Sequence, residues 1–257
     1  MKLITLNLWG GKIFEPLMEF LKREAPATDI FCFQEMYHGA VEKIPGNKSV
    51  VNLFTQLQAV LSEFDSVFTP VVERGVEGIP ARWGLATFVR QNISVADGGK
   101  FFVYRTFNSM DKEDPQTIPR CVQYFHVQKD GASMTVCNFH GLYNATINKL
   151  DNPDRLEQSR KIRAFLDTQQ GPLILCGDFN LRPETESIKM LEGGMRNLIK
   201  EYGITSTRSH YYSKDVRFAD YILVTPDIKV QSCKVLPDVV SDHLAIMLEF
   251  SLQHDKV

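Results

Sequence analysis

The chain has no apolar run approaching the roughly 18–20 residues that a membrane-spanning helix requires, which excludes a helical membrane protein. It has no CxxC pair, so the commonest zinc and dithiol signatures are missing. No internal repeat, low-complexity tract or Pro/Gly/Ser-rich linker divides its 257 residues, and a single domain over residues 1–257 is expected. Net charge is also scarce. The 29 basic and 31 acidic residues leave −2, which argues against a broad basic face for duplex DNA, although a local basic patch is compatible with it.

What is present is ordinary for a globular protein: 44% hydrophobic and 23% charged residues. A chain of this length buries roughly 70–75% of its unfolded surface and needs no staple. The cysteines Cys32, Cys121, Cys137, Cys176 and Cys233 are odd in number, and each lies in or beside an apolar run. They read as free thiols packed as small hydrophobes in a reducing compartment. The start, MKLITLNLWGGK, is broken by Asn7 and followed by no A-x-A-like site, so it reads as a strand rather than a signal peptide. A cytoplasmic monomer is expected.

Periodicity supplies the elements. Strands are expected over 2–8, 29–34, 66–72, 84–90, 100–106, 121–127, 133–139, 172–178, 218–224, 229–235 and 244–250. Helices are expected over 14–23, 51–61, 153–168 and 184–191, the third opened by Asn152 as cap and Pro153 in its first turn. Many strands with interleaved helices imply an α/β sandwich, two sheets face to face with helices outside.

Six apolar strands carry Asn, Glu, His or Asp near an end. In LILCGDFN, Asp178 and Asn180 lie two apart and share a face if the strand continues. A plain Asx turn is the alternative. In VVSDHLAIMLEF, Asp242 and His243 precede an apolar strand, where alternation would turn them to different partners. His243 is a natural general base if a separate carboxylate fixes its tautomer, and Asp220 in FADYILV is the candidate. Asn7 and Glu35, the latter ending CFQE, could share one edge and offer oxygen ligands to a hard cation, Mg²⁺ or Mn²⁺ rather than zinc. His140, in VCNFHGLYN, could donate to a phosphate oxygen or protonate a leaving group. Arg208, Arg120 and Tyr212 are candidate substrate contacts, with Arg82, Trp83, Arg155 and Gln158 as further options.

These segments, TLNLWGG, FQEM, NFHG, CGDFN, ADYIL and SDHLAI in order from residue 5 to 246, resemble the endonuclease/exonuclease/phosphatase family. That family includes pancreatic-type deoxyribonuclease, apurinic endonucleases, neutral sphingomyelinases and inositol-polyphosphate phosphatases. The resemblance implies a four-layered α/β sandwich with two mainly antiparallel sheets and an active site at one end. It implies Mg²⁺-dependent hydrolysis of a phosphoester by in-line attack of water, with Mn²⁺ able to substitute. Glu35 would hold the metal, with Asn7 as ligand or neighbour, and Asp242 would bind metal or orient the site. Asp178 would orient or activate the water, Asn180 would stabilise the transition state, and His140 would donate to the phosphate. His243, paired with Asp220, would act as base or phosphate ligand. The substrate is a phosphoester, a nucleic acid or nucleotide being among the candidates. The competing reading is a catalytically silent phosphate- or nucleic-acid-binding module on the same fold.

Overall fold

A computed structural model describes residues 1–40 and 48–252. Among the described residues, twelve strands form two six-stranded sheets. The first runs β11 (Ile228–Val235), β12 (Ile246–Leu252), β1 (Lys2–Asn7), β2 (Ile30–Gly39), β4 (Ala81–Arg90) and β3 (Phe64–Glu73). The second runs β5 (Ser94–Tyr104), β6 (Arg120–Lys129), β7 (Ala132–His140), β8 (Leu173–Asp178), β10 (Asp220–Val224) and β9 (Arg196–Asn197). Each sheet holds one parallel pair, β1 with β2 and β7 with β8, and the other pairings are antiparallel. The four parallel strands therefore finish at one end of the sandwich. Their antiparallel neighbours β4, β6, β10 and β12 begin there.

Helices α1 (Phe14–Glu24) and α2 (Leu53–Val60) cover the first sheet, and α3 (Pro153–Leu166) and α4 (Glu186–Leu191) cover the second. Strand alternation sets the layers. Ile4, Leu6, Phe31 and Phe33 pack with Leu17 and Leu21 of α1, whereas Leu3 and Cys32 turn to the opposite face and join Val136 and Cys176 of the second sheet. Each such side chain withdrawn from water contributes about 1.5–3 kcal/mol.

The space between the sheets changes character along its length. Beyond Leu3 and Cys32 it becomes polar. Buried Gln34 donates to the Thr5 hydroxyl at 3.2 Å and to Asn138 Oδ1 at 2.8 Å. Asn138 donates to the Phe33 and Ala86 carbonyls and to the Thr87 hydroxyl, and that hydroxyl donates to Gln123 at 2.7 Å. Two residues further along the same faces, Thr5 leads to Asn7 and Asn138 leads to His140. The polar layer is thus the floor on which the site stands.

Some boundaries differ from expectation. β5 begins at Ser94 because pairing with β6 holds an exposed segment that has no apolar alternation. β4 starts at Ala81 and so includes Trp83. β9 and the short helix α5 (Leu198–Glu201) went unexpected; Asn197 caps α5 by accepting from the Ile199 and Lys200 N–H groups. β12 begins two residues late, which matters for the site.

Candidate active site

Asn7, Glu35, His140, Asp178, Asp220, Asp242 and His243 come together at the end where the parallel strands finish. All but Asn7 and Asp220 line one cleft of about 420 Å³, and those two stand directly behind it.

Glu35 does not end its strand. β2 continues to Gly39 through a bulge between Phe33 and Met36, with Glu35 at φ 56°. The bulge frees Glu35 from alternation and aims it into the cleft, as bulges beside active sites do. Asn180 is likewise left-handed, at φ 52°. The extended conformation expected to unite it with Asp178 therefore does not continue. Instead the Asn180 N–H donates to Asp178 Oδ1 at 2.9 Å, an Asx turn that still brings both side chains to the cleft. Gly177, at φ 133°, is required where β8 meets β7, since a Cβ there would lie inside the Phe139 carbonyl.

Asn7 links the two carboxylates. Its Nδ2 donates to Glu35 Oε1 at 3.1 Å and Asp178 Oδ2 at 2.9 Å, while its Oδ1 accepts the Trp9 N–H. It faces the carboxylates as a donor rather than as an oxygen ligand. Burial first, then the Asp242 and Asp178 carboxylates, push Glu35 up to about 7, against the pull of the Asn7 hydrogen bond. Its side chain keeps 28% of its surface open to the cleft, so water can reach the carboxylate that protein otherwise encloses.

The two histidines are neutral for the same reason and oriented oppositely. Burial, with Arg208 adding to it, lowers His243 to about 3, while burial raises Asp220 to about 6. At neutral pH the carboxylate is ionised and the imidazole is not. His243 Nδ1–H donates to Asp220 at 2.8 and 2.9 Å, and the Thr207 hydroxyl donates to the same carboxylate at 2.6 Å. Nε2 of His243 is left as an acceptor, 3.5 Å from Asp178 Oδ2. His140 lies well below its ordinary value through burial and the charge of Arg120. The Arg120 Nη1 donates to His140 Nδ1 across 3.4 Å, so the His140 Nε2 carries the proton, 3.6 Å from Asp178 Oδ2. One imidazole presents a lone pair to the cleft and the other an N–H.

Asp242 and His243 were expected to face different neighbours. They precede β12 rather than lying in it, alternation does not apply, and both face the cleft. Their partners do differ: Arg208 Nη1 donates to Asp242 at 2.9 Å. Arg208 also stacks over the Tyr212 ring at 4.1 Å. Arg120 and Trp83 line the cleft too, but Arg82, its neighbour in β4, is exposed on the other face. Arg155 and Gln158 are buried under the loop after His140: the guanidinium donates to the Leu142 and Leu150 carbonyls, and Gln158 accepts the Leu142 N–H. They hold the loop and do not line the cleft.

Sequence reasoning missed Trp9, Lys12, Tyr37, Arg74, Tyr143 and Lys214, which also line the cleft. It also missed Lys149, a buried lysine lowered to about 7 by burial, whose Nζ donates to the Phe218 carbonyl at 2.6 Å. Tyr37 had a usable signal, two residues beyond Glu35. The lysines sit in loops and had none.

The donor set can be tested against a divalent cation. Burial, with the charges of Asp242 and Asp178 adding to it, raises Glu35 to about 7, and a cation would offset both the desolvation and the repulsion. Asp178, Asp220 and His243 form the tighter geometric group, within 4.8 Å of one another. Asp220 is already saturated there by His243 and Thr207, so a cation would have to break that pair. The Glu35 side fits better.

A four-layered sandwich that gathers carboxylates, histidines and an asparagine at a common end of its sheets has the architecture of a hydrolytic phosphoesterase. The chain belongs to the Endonuclease/Exonuclease/phosphatase family, whose model matches residues 4–243. Members of that family are generally divalent-metal-dependent phosphoesterases. A sequence comparison with curated proteins gives no significant match. Among solved structures, a Bacteroides thetaiotaomicron family protein superposes with TM-score 0.72 at 19% identity, covering 97% of this chain and 94% of the other. The mannosyl-6-phosphatase Bt3783 of Bacteroides thetaiotaomicron VPI-5482 gives 0.71 at 18%, covering 98% and 100%. The human Nocturnin catalytic domain with bound sulfate gives 0.69 at 19%, covering 98% and 93%. At such identities the likeness shows the fold. No described helix is long and apolar enough to cross a membrane.

Proposed function

We propose that the protein is a Mg²⁺-dependent phosphoesterase that hydrolyses its substrate by in-line attack of water. The observation that carries this reading is the pairing of opposite tautomers around Asp178: an acceptor at His243 Nε2 and a donor at His140 Nε2, 3.5 and 3.6 Å from the same carboxylate oxygen. Two acceptors 3.5 Å apart, Asp178 Oδ2 and His243 Nε2, can share one water by taking a hydrogen from each side. Asp220 stabilises the imidazolium that forms if the proton passes to His243. His140 Nε2–H, its tautomer set by Arg120, and Asn180 supply donors for the phosphoryl oxygens, and Arg208 fixes Asp242. Glu35 and Asp242 would hold the cation, with Asn7 keeping Glu35 and Asp178 in register. When bound, the ion neutralises charge on the phosphoryl group and leaving oxygen.

Similarity to a phosphatase and to Nocturnin supports a phosphoester but no particular one. Five free, buried cysteines support a reducing, cytoplasmic setting, and one chain completes the cleft, in keeping with a monomer. The deciding experiment is a phosphoester panel with Mg²⁺ or Mn²⁺: single-stranded and abasic duplex DNA, nucleotides, inositol phosphates, sugar phosphates and bis(p-nitrophenyl) phosphate. Turnover that disappears with EDTA and in Asp178→Asn supports the reading. Turnover that survives chelation sinks the metal-dependent mechanism, and none on any ester leaves a silent binding module.

A further inference from the structure

One wall of the cleft has no part in the hydrolysis above, beyond the Arg120 contact that sets the His140 tautomer. Tyr37 of β2 and Trp83 of β4 are direct cross-strand partners and both line the cleft. Arg74 follows β3, where its N–H donates to the Ala81 carbonyl at 2.8 Å and pins it to the stem of the β3–β4 hairpin. Alternation turns Glu73 to solvent and Arg74 to the cleft. From the opposite sheet, Arg120 stacks over Trp83 at 5.3 Å. Three neighbouring strands and one facing strand thus build a walled compartment beside His140, whose ring lies 5.4 Å from Trp83.

Its polar groups are unspent. Tyr37 is 7% exposed, and its hydroxyl has no hydrogen-bond partner among the described residues although it faces the cleft. The Arg74 guanidinium is half-buried and makes no ion pair or hydrogen bond with any described residue. The other cleft arginines are balanced: Arg208 by Asp242 at 2.9 Å, and Arg120 by the charges of Glu35 and Asp178. Arg74 instead adds to the positive charge felt by Arg120. A guanidinium fork, a free hydroxyl and a second guanidinium along one wall suit an oxyanion.

The geometry points to a second anion-binding subsite, made by Arg74, the Tyr37 hydroxyl and Arg120 against Trp83, that holds an acidic group of the substrate other than the phosphoryl group attacked. The substrate class is then a small phosphate ester carrying a second phosphate or a carboxylate. The location of the attacked group rests on the proposed phosphoesterase site; the anion subsite itself does not.

The test is a molecular ruler, read by calorimetry so that it needs no turnover. α,ω-Alkanediol bisphosphates and ω-phosphoalkanoates of two to six carbons are titrated into the full chain beside the matching alkyl monophosphates. One spacer length should bind at least tenfold tighter than its monophosphate, and the two series say whether phosphate or carboxylate is preferred. In Arg74→Gln the ratio should fall to near one. Arg74→Lys should restore part of it, and Tyr37→Phe should lower it two- to fivefold. Thermal melts confirm that each variant is folded. No spacer exceeding its monophosphate, or an advantage that persists in folded R74Q, overturns the inference. A ruler that works while every ester in the panel resists hydrolysis removes the phosphoesterase reading and leaves the subsite standing.

Discussion

Asp220→Asn is the most informative change at the catalytic end. The replacement is nearly isosteric, and the Thr207 hydroxyl can still donate to an amide oxygen. What changes is the partner of His243 Nδ1, which now donates to a buried carboxylate at 2.8 and 2.9 Å. A charge-assisted bond of this kind is worth about 1.5–3 kcal/mol, enough to hold one tautomer by tenfold to a hundredfold. With an amide NH₂ facing it, Nδ1 becomes the acceptor and the proton moves to Nε2. The atom 3.5 Å from Asp178 Oδ2 then donates where it accepted, and the shared water loses one of its two acceptors. General-base assistance contributes about 10²–10⁴ in rate, so kcat should fall by that factor, or about 3–5 kcal/mol at 1.36 kcal/mol per decade. KM should hardly move, since no donor to the phosphoryl group is lost. The assay is steady-state hydrolysis of the best panel ester at saturating Mg²⁺, with ¹⁵N NMR of labelled histidine to read the tautomer. Because the proposed mechanism places the same water on Asp178, Asp178→Asn/Asp220→Asn should fall well short of the product of the single losses. A threefold or smaller loss in a variant shown to carry the Nε2–H tautomer would refute the role assigned to the lone pair.

Three other perturbations separate site from scaffold. Glu35→Gln removes a carboxylate pushed up to about 7 by burial and by Asp242 and Asp178, so it should raise the melting temperature of the metal-free protein by a few degrees while weakening Mg²⁺ in calorimetry at least tenfold. A variant melting lower than wild type would contradict the repulsion. Asn138→Leu removes four buried hydrogen bonds from the polar floor, to Gln34 Nε2, the Thr87 hydroxyl and two carbonyls, and urea denaturation should register a loss of about 2–4 kcal/mol. An unchanged midpoint would mean that water replaces the amide. Gly177→Ala drives a Cβ into the Phe139 carbonyl at a positive φ, and should cost about 3 kcal/mol or more, seen as a collapsed melting temperature or insoluble expression.

The fold was legible because apolar runs and turn signals punctuate the chain, and every strand containing an apolar run was anticipated. β9 and the first half of β5 escaped because their pairing partners hold them, not their own pattern. Among site residues, polar groups closing apolar strands stood out: Asn7, His140, Asp178, Asp220 and His243. Their orientation could not be derived from strand periodicity. Glu35 needed a bulge, Asn180 an Asx turn, and Asp242 with His243 an irregular approach to β12. Arg74, Lys149 and Lys214 belong to loops whose composition resembles any exposed loop. Only tertiary structure turns them toward the cleft.

The departures from periodicity share one location. Trp9, Glu35 and Asn180, three of the non-glycine residues with positive φ, all line the cleft, at 50°, 56° and 52°. Such conformations are costly for side-chain-bearing residues and persist where the surroundings over-determine them. Here the surroundings are identifiable. The Trp9 N–H is held by Asn7 Oδ1, Glu35 Oε1 by Asn7 Nδ2, and the Asn180 N–H by Asp178 Oδ1, which shares its carboxylate with Asn7. One buried asparagine therefore braces all three strained turns, directly for Trp9 and Glu35 and through Asp178 for Asn180. Asn7→Leu keeps the branched shape but removes all three Asn7 hydrogen bonds, to Glu35, Asp178 and the Trp9 N–H, leaving two carboxylates with a donor withdrawn. It should misplace Glu35 and Asp178 together, lowering Mg²⁺ affinity and kcat in the same variant, whereas Asn7→Asp should keep the Trp9 contact and add repulsion to the carboxylates. A wild-type Mg²⁺ affinity in folded Asn7→Leu would show that the strained turns hold themselves.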